Sequence, residues 1–555
     1  MKKWSIKSPR KNTLRKWDIQ ELVLCLLENR GLTSDSEIHD FLHPRLDDVI
    51  PERVGLDSNE LQKSLLRIKK AIKQKEQIVI YTDYDVDGIC AGAILWEVLT
   101  SVGASVMPYV PHRVEEGYGL SVKGIDEIKK QFNPGLIITV DNGIAAHDQV
   151  VYAQGMGIDV IITDHHHKGE SPPKAYATVH TTQLAGSGVA WVLAYALLRD
   201  LGRDEIVALD LVALATVADM VPLIGPNRTL VKHGLAALNT TNRVGLQALF
   251  EESGIKTGGI GTYEIGHVIG PRINAMGRIT HALDALRLLC TNNRERAQKL
   301  ASLLGSTNKE RQVLTEESVL HAKHLYEEEL KMSLISSKLI FIDDSAYNQG
   351  VIGLIAGKLV EEYYKPAIVV SRGEELSKAS IRSISGFNII EALHTCDDIL
   401  VNCGGHPMAA GFTVETSKLN LLKKRLHDLA NTAISDDLLL REIKVDCELT
   451  PDDISWELYE AMRQFEPFGL GNPQPTFVLR GITVHDIRLL GSLGKHIKLR
   501  FSENVACEGI GFNMGEWYSQ LFKGAKIDIA FTVDKNSWNN TDTLQLKLKD
   551  ITIPK

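Results

Sequence analysis

Four short apolar runs, QIVIY (77–81), SVMPYV (105–110), GLIITV (135–140) and DVIIT (159–163), alternate with helix-like stretches such as Gly88–Leu99 and Ala145–Met156. No other feature constrains the fold as strongly. Runs apolar at nearly every position are buried on both faces, and a helix between successive runs returns the chain so that the strands lie parallel. The expected class is α/β with a doubly wound parallel sheet. In such a sheet, groups just beyond the carboxyl ends of neighbouring strands meet in one crevice.

The residues at those ends are acids and histidines. YTDYDVDGI places Asp83, Asp85 and Asp87 after the first run, TVDNGI places Asp141 after the third, and ITDHHH places Asp164, His165, His166 and His167 after the fourth. The spacing from Asp141 to His165 has room for one helical crossover. Asp219 ends the apolar segment DLVALATVADMVPL, and a helix ending at the crevice brings it in. Asp210, nine residues earlier, faces the opposite side of a continuous helix and is left out. A single D-x-D is usually a solvated turn; clusters repeated in register after successive strands are not. Adjacent ionised carboxylates repel unless a cation compensates. Carboxylates with one or two imidazoles and no thiolate favour Mn²⁺ or Mg²⁺. Two such ions about 4 Å apart, sharing a carboxylate, would activate water for attack at phosphorus. Asp164 is expected to orient an imidazole, and His167 to face solvent.

The formal charge is −8, which announces no overall basic field for nucleic acid but leaves room for a local basic groove. The seven cysteines contain no CxxC pair, which argues against a disulfide framework or a structural zinc site. The N-terminal MKKWSIKSPRKNTLRK is basic without the apolar run of a secretory signal. The most apolar window, 206–225, holds Asp210, Asp219 and Pro222, so no membrane span is expected. These features point to a cytoplasmic protein, with an organellar presequence as the alternative. Residues 1–45 read as a basic, helical N-terminal appendage. Residues 283–332, without proline and with only Gly305, read as one or two long helices joining two lobes. KLIFID (338–343), the amphipathic Val351–Tyr364 and AIVVS (367–371) begin a second, smaller α/β unit. FVLRGITVHDIRLL, HIKLRF, KIDIAFTV and LQLKLKDITI alternate at strand period and read as a small C-terminal β-barrel.

The DHH triplet, with D-x-D-x-D-G upstream and V-A-D downstream, resembles the DHH phosphoesterase superfamily. PHRVEEGYGL, LAGSGVAW, DLVALATVADMVPL, GPRINAMGRI, NQGVIGLIAGKL, SIRSISGFNIIEAL, GGHPMAAGF and FEPFGLGNPQPTF occur in that order from about residue 80 onward. They resemble the RecJ family of single-stranded-DNA-specific exonucleases. The resemblance implies a DHH catalytic domain (46–282), a connecting helix (283–332), a DHH-associated substrate-binding domain (333–435) and a C-terminal OB-fold nucleic-acid-binding barrel (436–555). It implies metal ligation by Asp85, Asp87, Asp141, His165 and Asp219, with Asp83 close by. Asp141 and His166 are the expected catalytic pair, His166 contacting the scissile phosphate or donating a proton. Many superfamily members have histidine where this chain has Tyr81, which removes one nitrogen ligand.

A phosphodiesterase also needs cationic and N–H donors around the phosphate. Arg278 in GPRINAMGRI, Ser380 and Arg382 in SIRS, and Gly404, Gly405 and His406 in GGHPMAAGF are the candidates, with Arg272 weaker. In the barrel, Phe468 and Phe477 read as core, while Lys495, Lys498 and Arg500 alternate onto one face that could track a strand, near His496 and Trp538. The implied activity is 5′→3′ hydrolysis of single-stranded DNA to mononucleotides in recombination and repair. The implied partners are a single-strand-binding protein and a helicase, with the chain itself a monomer. Alternatives are a small-nucleotide phosphodiesterase or pyrophosphatase of the same superfamily, or a non-catalytic DNA-binding scaffold.

Overall fold

The computed structural model describes residues 2–8, 16–113, 115–169, 171–332, 337–502, 508–538 and 541–554. The basic run at 9–15, Cys507 and the side chain of Trp538 lie outside the described residues. Strand β1 spans Lys3–Ser8. Strands β2 (Gln77–Thr82), β3 (Ser105–Tyr109), β4 (Leu136–Val140), β5 (Asp159–Asp164) and β6 (Ala177–His180) form one parallel sheet in the order β3-β2-β4-β5-β6. The four expected strands are all present, and β6 adds an edge. Alternate residues of β2 serve two cores: Ile78 and Ile80 pack in the larger cluster with Ile89 and Val189, and Val79 and Tyr81 pack on the other face with Ile125 and Ile128. Both faces of β2, β4 and β5 are therefore covered, which is why those runs are apolar; β3, at the sheet edge, leaves Ser105 and Met107 exposed. The chain order reverses about β2, between β3 and β4, so the topological switch point lies where Asp83–Asp87 and Asp141 leave the sheet.

After the helices that cover this sheet, the last of them Gly270–Ile279, come Leu283–Cys290 and the 39-residue Arg294–Met332. At 1.5 Å per residue the second is roughly 58 Å long. The second lobe holds β7 (Ile340–Asp344), β8 (Ala367–Ser371), β9 (Leu376–Arg382), β10 (Leu400–His406) and β11 (Ala409–Glu415), in the order β10-β11-β9-β8-β7. Only β7 and β8 in this sheet are parallel. The third sheet contains β12 (Glu442–Glu448), β13 (Phe477–Leu490), β14 (His496–Phe501), β15 (Glu508–Gly511), β16 (Lys526–Trp538) and β17 (Thr541–Thr552). Pairing of β13 with both β14 and β16 closes a five-stranded barrel. No described helix is long and apolar enough to cross a membrane.

Residues 1–45 differ from the expected appendage. β1 pairs in parallel with β12, from Lys3↔Glu442 to Ser8↔Cys447. The helices Ile19–Glu28 and Asp35–Leu42 bury Leu22, Leu26, Leu27 and Phe41 in the same core as Phe465, Phe477 and Phe531. The Trp17 indole donates to the Glu448 carbonyl at 3.0 Å. The segment is basic, but its apolar stripe needs a cover, and the barrel module supplies it. Arg228, from the helix Gly225–Asn239, closes this junction. It is buried and donates to the carbonyls of Phe41, Phe465 and Gln464 at 3.1, 2.8 and 3.2 Å, with its guanidinium over the Phe41 ring.

Candidate metal centre and active site

Asp85 caps the helix Val86–Ser101, its Oδ1 accepting from the N–H groups of Asp87 and Gly88 at 2.9 and 3.1 Å. That cap turns the D-x-D-x-D segment at the sheet edge. Asp87 is fully buried and accepts from the Gly186 and Ser187 N–H groups at 2.6 and 2.8 Å, at the start of the helix Gly186–Asp200. Buried negative charge at a helix N-terminus is favourable. Asp141 leaves β4 in the left-handed region, φ 61°, held by its N–H bond to the Thr163 carbonyl. Asp219 closes the helix Leu209–Ala218.

These groups converge on His165. Its Nε2 lies 3.1 Å from Asp141, 3.7 Å from Asp219 and 3.9 Å from Asp87. Three overlapping donor sets come within ligating distance of one another: Asp83–Asp85–Asp141, Asp87–His165–Asp219 and Asp141–His165–His166. Two glycines permit the approach. A Cβ on Gly186 would lie 2.6 Å from Asp141 Oδ1, and one on Gly88 would lie 2.7 Å from Asp83.

The electrostatics fit a cation. Burial, then the neighbouring carboxylates, push Asp83, Asp85 and Asp141 above the usual carboxylate range, and the same causes push Asp219 up to about 9. Burial lowers the His165 imidazole, leaving it neutral and able to donate a lone pair. Buried oxygens of Asp83 and Asp141 accept no hydrogen bond. Repelling carboxylates, a neutral imidazole and orphaned oxygens together are a donor set for hard divalent ions.

Asp164 is buried beside the cluster and is not turned into it. It accepts from His166 Nδ1 at 2.8 Å and from the N–H groups of His165, His166 and Ile144. Burial opposes its charge, but these bonds outweigh burial and hold Asp164 below the usual range. They also raise His166 against its own desolvation. The Tyr118 hydroxyl lies 3.1 Å from His166 Nε2 and 3.2 Å from the Asp141 carbonyl. Nothing in the pattern PHRVEEGYGL marks Tyr118 as a site residue; only the fold brings it to His166. Tyr81 is buried on the far face, its ring tilted against that of Tyr109 with centroids 5.2 Å apart, and supplies no ligand to the cluster. Asp210 is held elsewhere, by Thr241 and Arg243 at 2.7 and 3.0 Å.

Arg278 crosses to the second lobe, donating to the Gly350 carbonyl at 3.0 Å. Burial, then Arg113, Arg311 and Arg382, lower it to about 10, against the opposing pull of Asp85, so four guanidinium groups lie within electrostatic reach of one another beside the carboxylates. Arg113 also lies over the Tyr84 ring at 5.0 Å. Arg113 and Arg311 were not legible as site residues, since they come from a loop and from the long helix. Ser380 and Arg382 on β9 face Gly353, where a Cβ would sit 2.9 Å from the Ser380 hydroxyl. Arg272 does not join; Glu252 and the Val268 carbonyl take it at 2.7 and 2.9 Å. Gly405 has φ 144°, and a Cβ there would meet the Ala409 carbonyl at 2.4 Å. The His406 ring lies 5.8 Å from that of His167 across the cleft. In the barrel, Phe477 is core and Phe468 packs against it. Lys498 and Arg500 both pair with Glu508, so the expected cationic face is partly neutralised, and Lys495 is exposed.

A buried carboxylate–imidazole cluster at the switch point of a parallel sheet, with Arg113 and Arg278 within electrostatic reach of Asp83 and Asp85, defines a divalent-metal phosphoesterase of the DHH type. Residues 77–216 match the DHH family N-terminal domain, 331–432 the DHHA1 domain and 445–550 the RecJ OB domain. The chain belongs to the RecJ family. It is similar to the single-stranded-DNA-specific exonuclease RecJ of Bacillus subtilis, 36% identical over 99% of this chain and 71% of that protein. It is also similar to RecJ of Thermus thermophilus, 32% identical over 92% of this chain and 73% of that protein. The crystal structure of the Thermus protein in complex with Mn²⁺ superposes with a TM-score of 0.83 at 28% identity, covering 100% of this chain and 80% of that one.

Proposed function

We propose that this chain hydrolyses single-stranded DNA from the 5′ end, releasing mononucleotides, with Mn²⁺ or Mg²⁺ as cofactor. The observation that carries the reading is the convergence of Asp83, Asp85, Asp87, Asp141, His165 and Asp219 beside the arginine cluster. Those six residues would hold two divalent ions, which when bound supply Lewis-acid stabilisation and an activated water. Complexes of similar RecJ proteins with Mn²⁺ and with Mg²⁺ support the choice of ion. Arg278, Arg382 and Ser380 grip the terminal phosphate, with Gly404, Gly405 and His406 closing the opposite side. His166, its pKa raised by Asp164 against its own burial and its ring positioned by Tyr118, donates a proton to the departing oxygen. The barrel holds the trailing strand. The enzyme acts as a cytoplasmic monomer in recombination and repair, where a helicase and a single-strand-binding protein present its substrate.

Digestion of 5′-tailed and 3′-tailed duplexes, end-labelled and with or without Mn²⁺, tests this. Mononucleotides from the 5′ tail only, absent in Asp141→Ala, are expected. Cleavage of a dinucleotide but not of a long strand would instead support a small-nucleotide phosphodiesterase.

A further inference from the structure

Among the described residues, one donor cluster lies outside the site above. His394 ends the helix Ile389–His394, Asp397 follows three residues on, and Cys403 lies on β10. The three donor atoms face one another: His394 Nδ1 to Asp397 Oδ1 3.4 Å, Cys403 Sγ to the same Oδ1 3.6 Å, and Sγ to Nδ1 3.9 Å. A tetrahedral zinc with sulfur at ~2.3 Å, nitrogen at ~2.1 Å and oxygen at ~2.0 Å has nitrogen–oxygen, sulfur–oxygen and sulfur–nitrogen edges of about 3.3, 3.5 and 3.6 Å. Each edge of the triangle lies within about 0.3 Å of that geometry.

We propose that His394, Asp397 and Cys403 form a second metal site, for a borderline transition ion of the Zn²⁺ type, chemically distinct from the carboxylate centre. The donor set decides the class: a thiolate with an imidazole selects zinc-like ions over Mg²⁺ and Mn²⁺, which prefer oxygen. His394 and Asp397 are more than half exposed, so an ion can enter directly and a water can fill the fourth position. Burial, then the Asp397 carboxylate, hold the Cys403 thiol protonated without metal, and binding would release that proton. Cysteine spacing gives no hint of the site, because its ligands come from a helix end and a neighbouring strand rather than from a CxxC knuckle. The consequence is local. Cys403 immediately precedes Gly404, Gly405 and His406 on β10, so a bound ion would pin the helix end to the strand that carries His406 toward the cleft.

The test titrates the metal-free full-length chain with Co²⁺ in the presence of excess Mg²⁺ and a non-thiol reductant. A near-ultraviolet thiolate-to-cobalt charge-transfer band saturating at one ion per chain is expected. Zn²⁺ should abolish it. The carboxylate centre has no thiolate among the described residues, so Co²⁺ there contributes no such band. Cys403→Ser should remove the band, His394→Ala should weaken cobalt binding at least tenfold, and Asp141→Ala should leave the band in place. His394 is exposed, so its variant should melt with the parent, which separates lost ligation from lost fold. No band in the parent chain, or a band that survives Cys403→Ser, would overturn the proposal and leave a hydrogen-bonded triad without metal.

Discussion

Gly186→Ala is the sharpest perturbation of the metal centre, because it touches no ligand chemically. The added methyl would lie 2.6 Å from Asp141 Oδ1 and 2.7 Å from its Cβ. An ordinary contact begins near 3.4 Å, so one partner must move by about 3.4 − 2.6 = 0.8 Å. Asp141 has little freedom, being buried with its backbone already at φ 61°. The helix start has little either, since Gly186 and Ser187 donate to Asp87 at 2.6 and 2.8 Å. Whichever yields, one carboxylate shifts by more than the ~0.5 Å tolerance of a preorganised site. A misplacement near 1 Å costs about 10²-fold in rate, or roughly 2.7 kcal/mol of barrier. Initial rates on 5′-labelled single-stranded DNA across a Mn²⁺ titration, with thermal melting alongside, measure this. Gly188→Ala is the control, since its methyl would meet only Leu184 at 3.2 Å. Gly186→Ala within twofold of the parent at every Mn²⁺ concentration would falsify the close-approach argument.

Asp141→Asn should abolish cleavage yet melt a few degrees higher than the parent in chelator, because it removes a buried carboxylate that its neighbours repel; calorimetry in EDTA checks the sign. Arg228→Met should destabilise the chain by about 2–4 kcal/mol, by removing the guanidinium from three carbonyls at the module junction, of which Phe465 keeps a bond from the Asn472 amide, while specific activity of the folded fraction holds. Denaturant unfolding with a parallel rate assay reads both numbers, and unchanged stability would mean that the junction does not depend on this guanidinium. Deleting residues 2–42 should expose the face of the barrel module that Leu22, Leu26, Leu27 and Phe41 cover, giving aggregation on size-exclusion chromatography rather than a trimmed, monodisperse enzyme.

Much of the site was open to a linear reading because each ligand segment sits at the end of its own strand. Asp83, Asp85, Asp87, Asp141 and His165 could be placed from strand ends alone, and helical periodicity was enough to discard Asp210. The cationic candidates were harder. Arg278 joins the arginine cluster, but Arg272 of the same motif turns to Glu252. Lys498 and Arg500 share a face at strand period, as alternation predicts, yet Glu508 from the paired strand takes both. Cross-strand partners of this kind are set by register, which no local pattern carries.

Apolar runs buried on both sides, and acids placed after them, were determined by the sequence itself: hydrophobic periodicity and the repulsion among carboxylates are local properties of the chain. The tertiary structure alone decided which surfaces meet. It set β1 beside β12, more than four hundred residues away, and stacked Arg228 on Phe41. It also brought Tyr118 to His166 and Cys403 to His394. An amphipathic stripe states that it must be covered but not by what, and a polar side chain states that it needs a partner but not which. Those choices belong to the packing of the whole molecule.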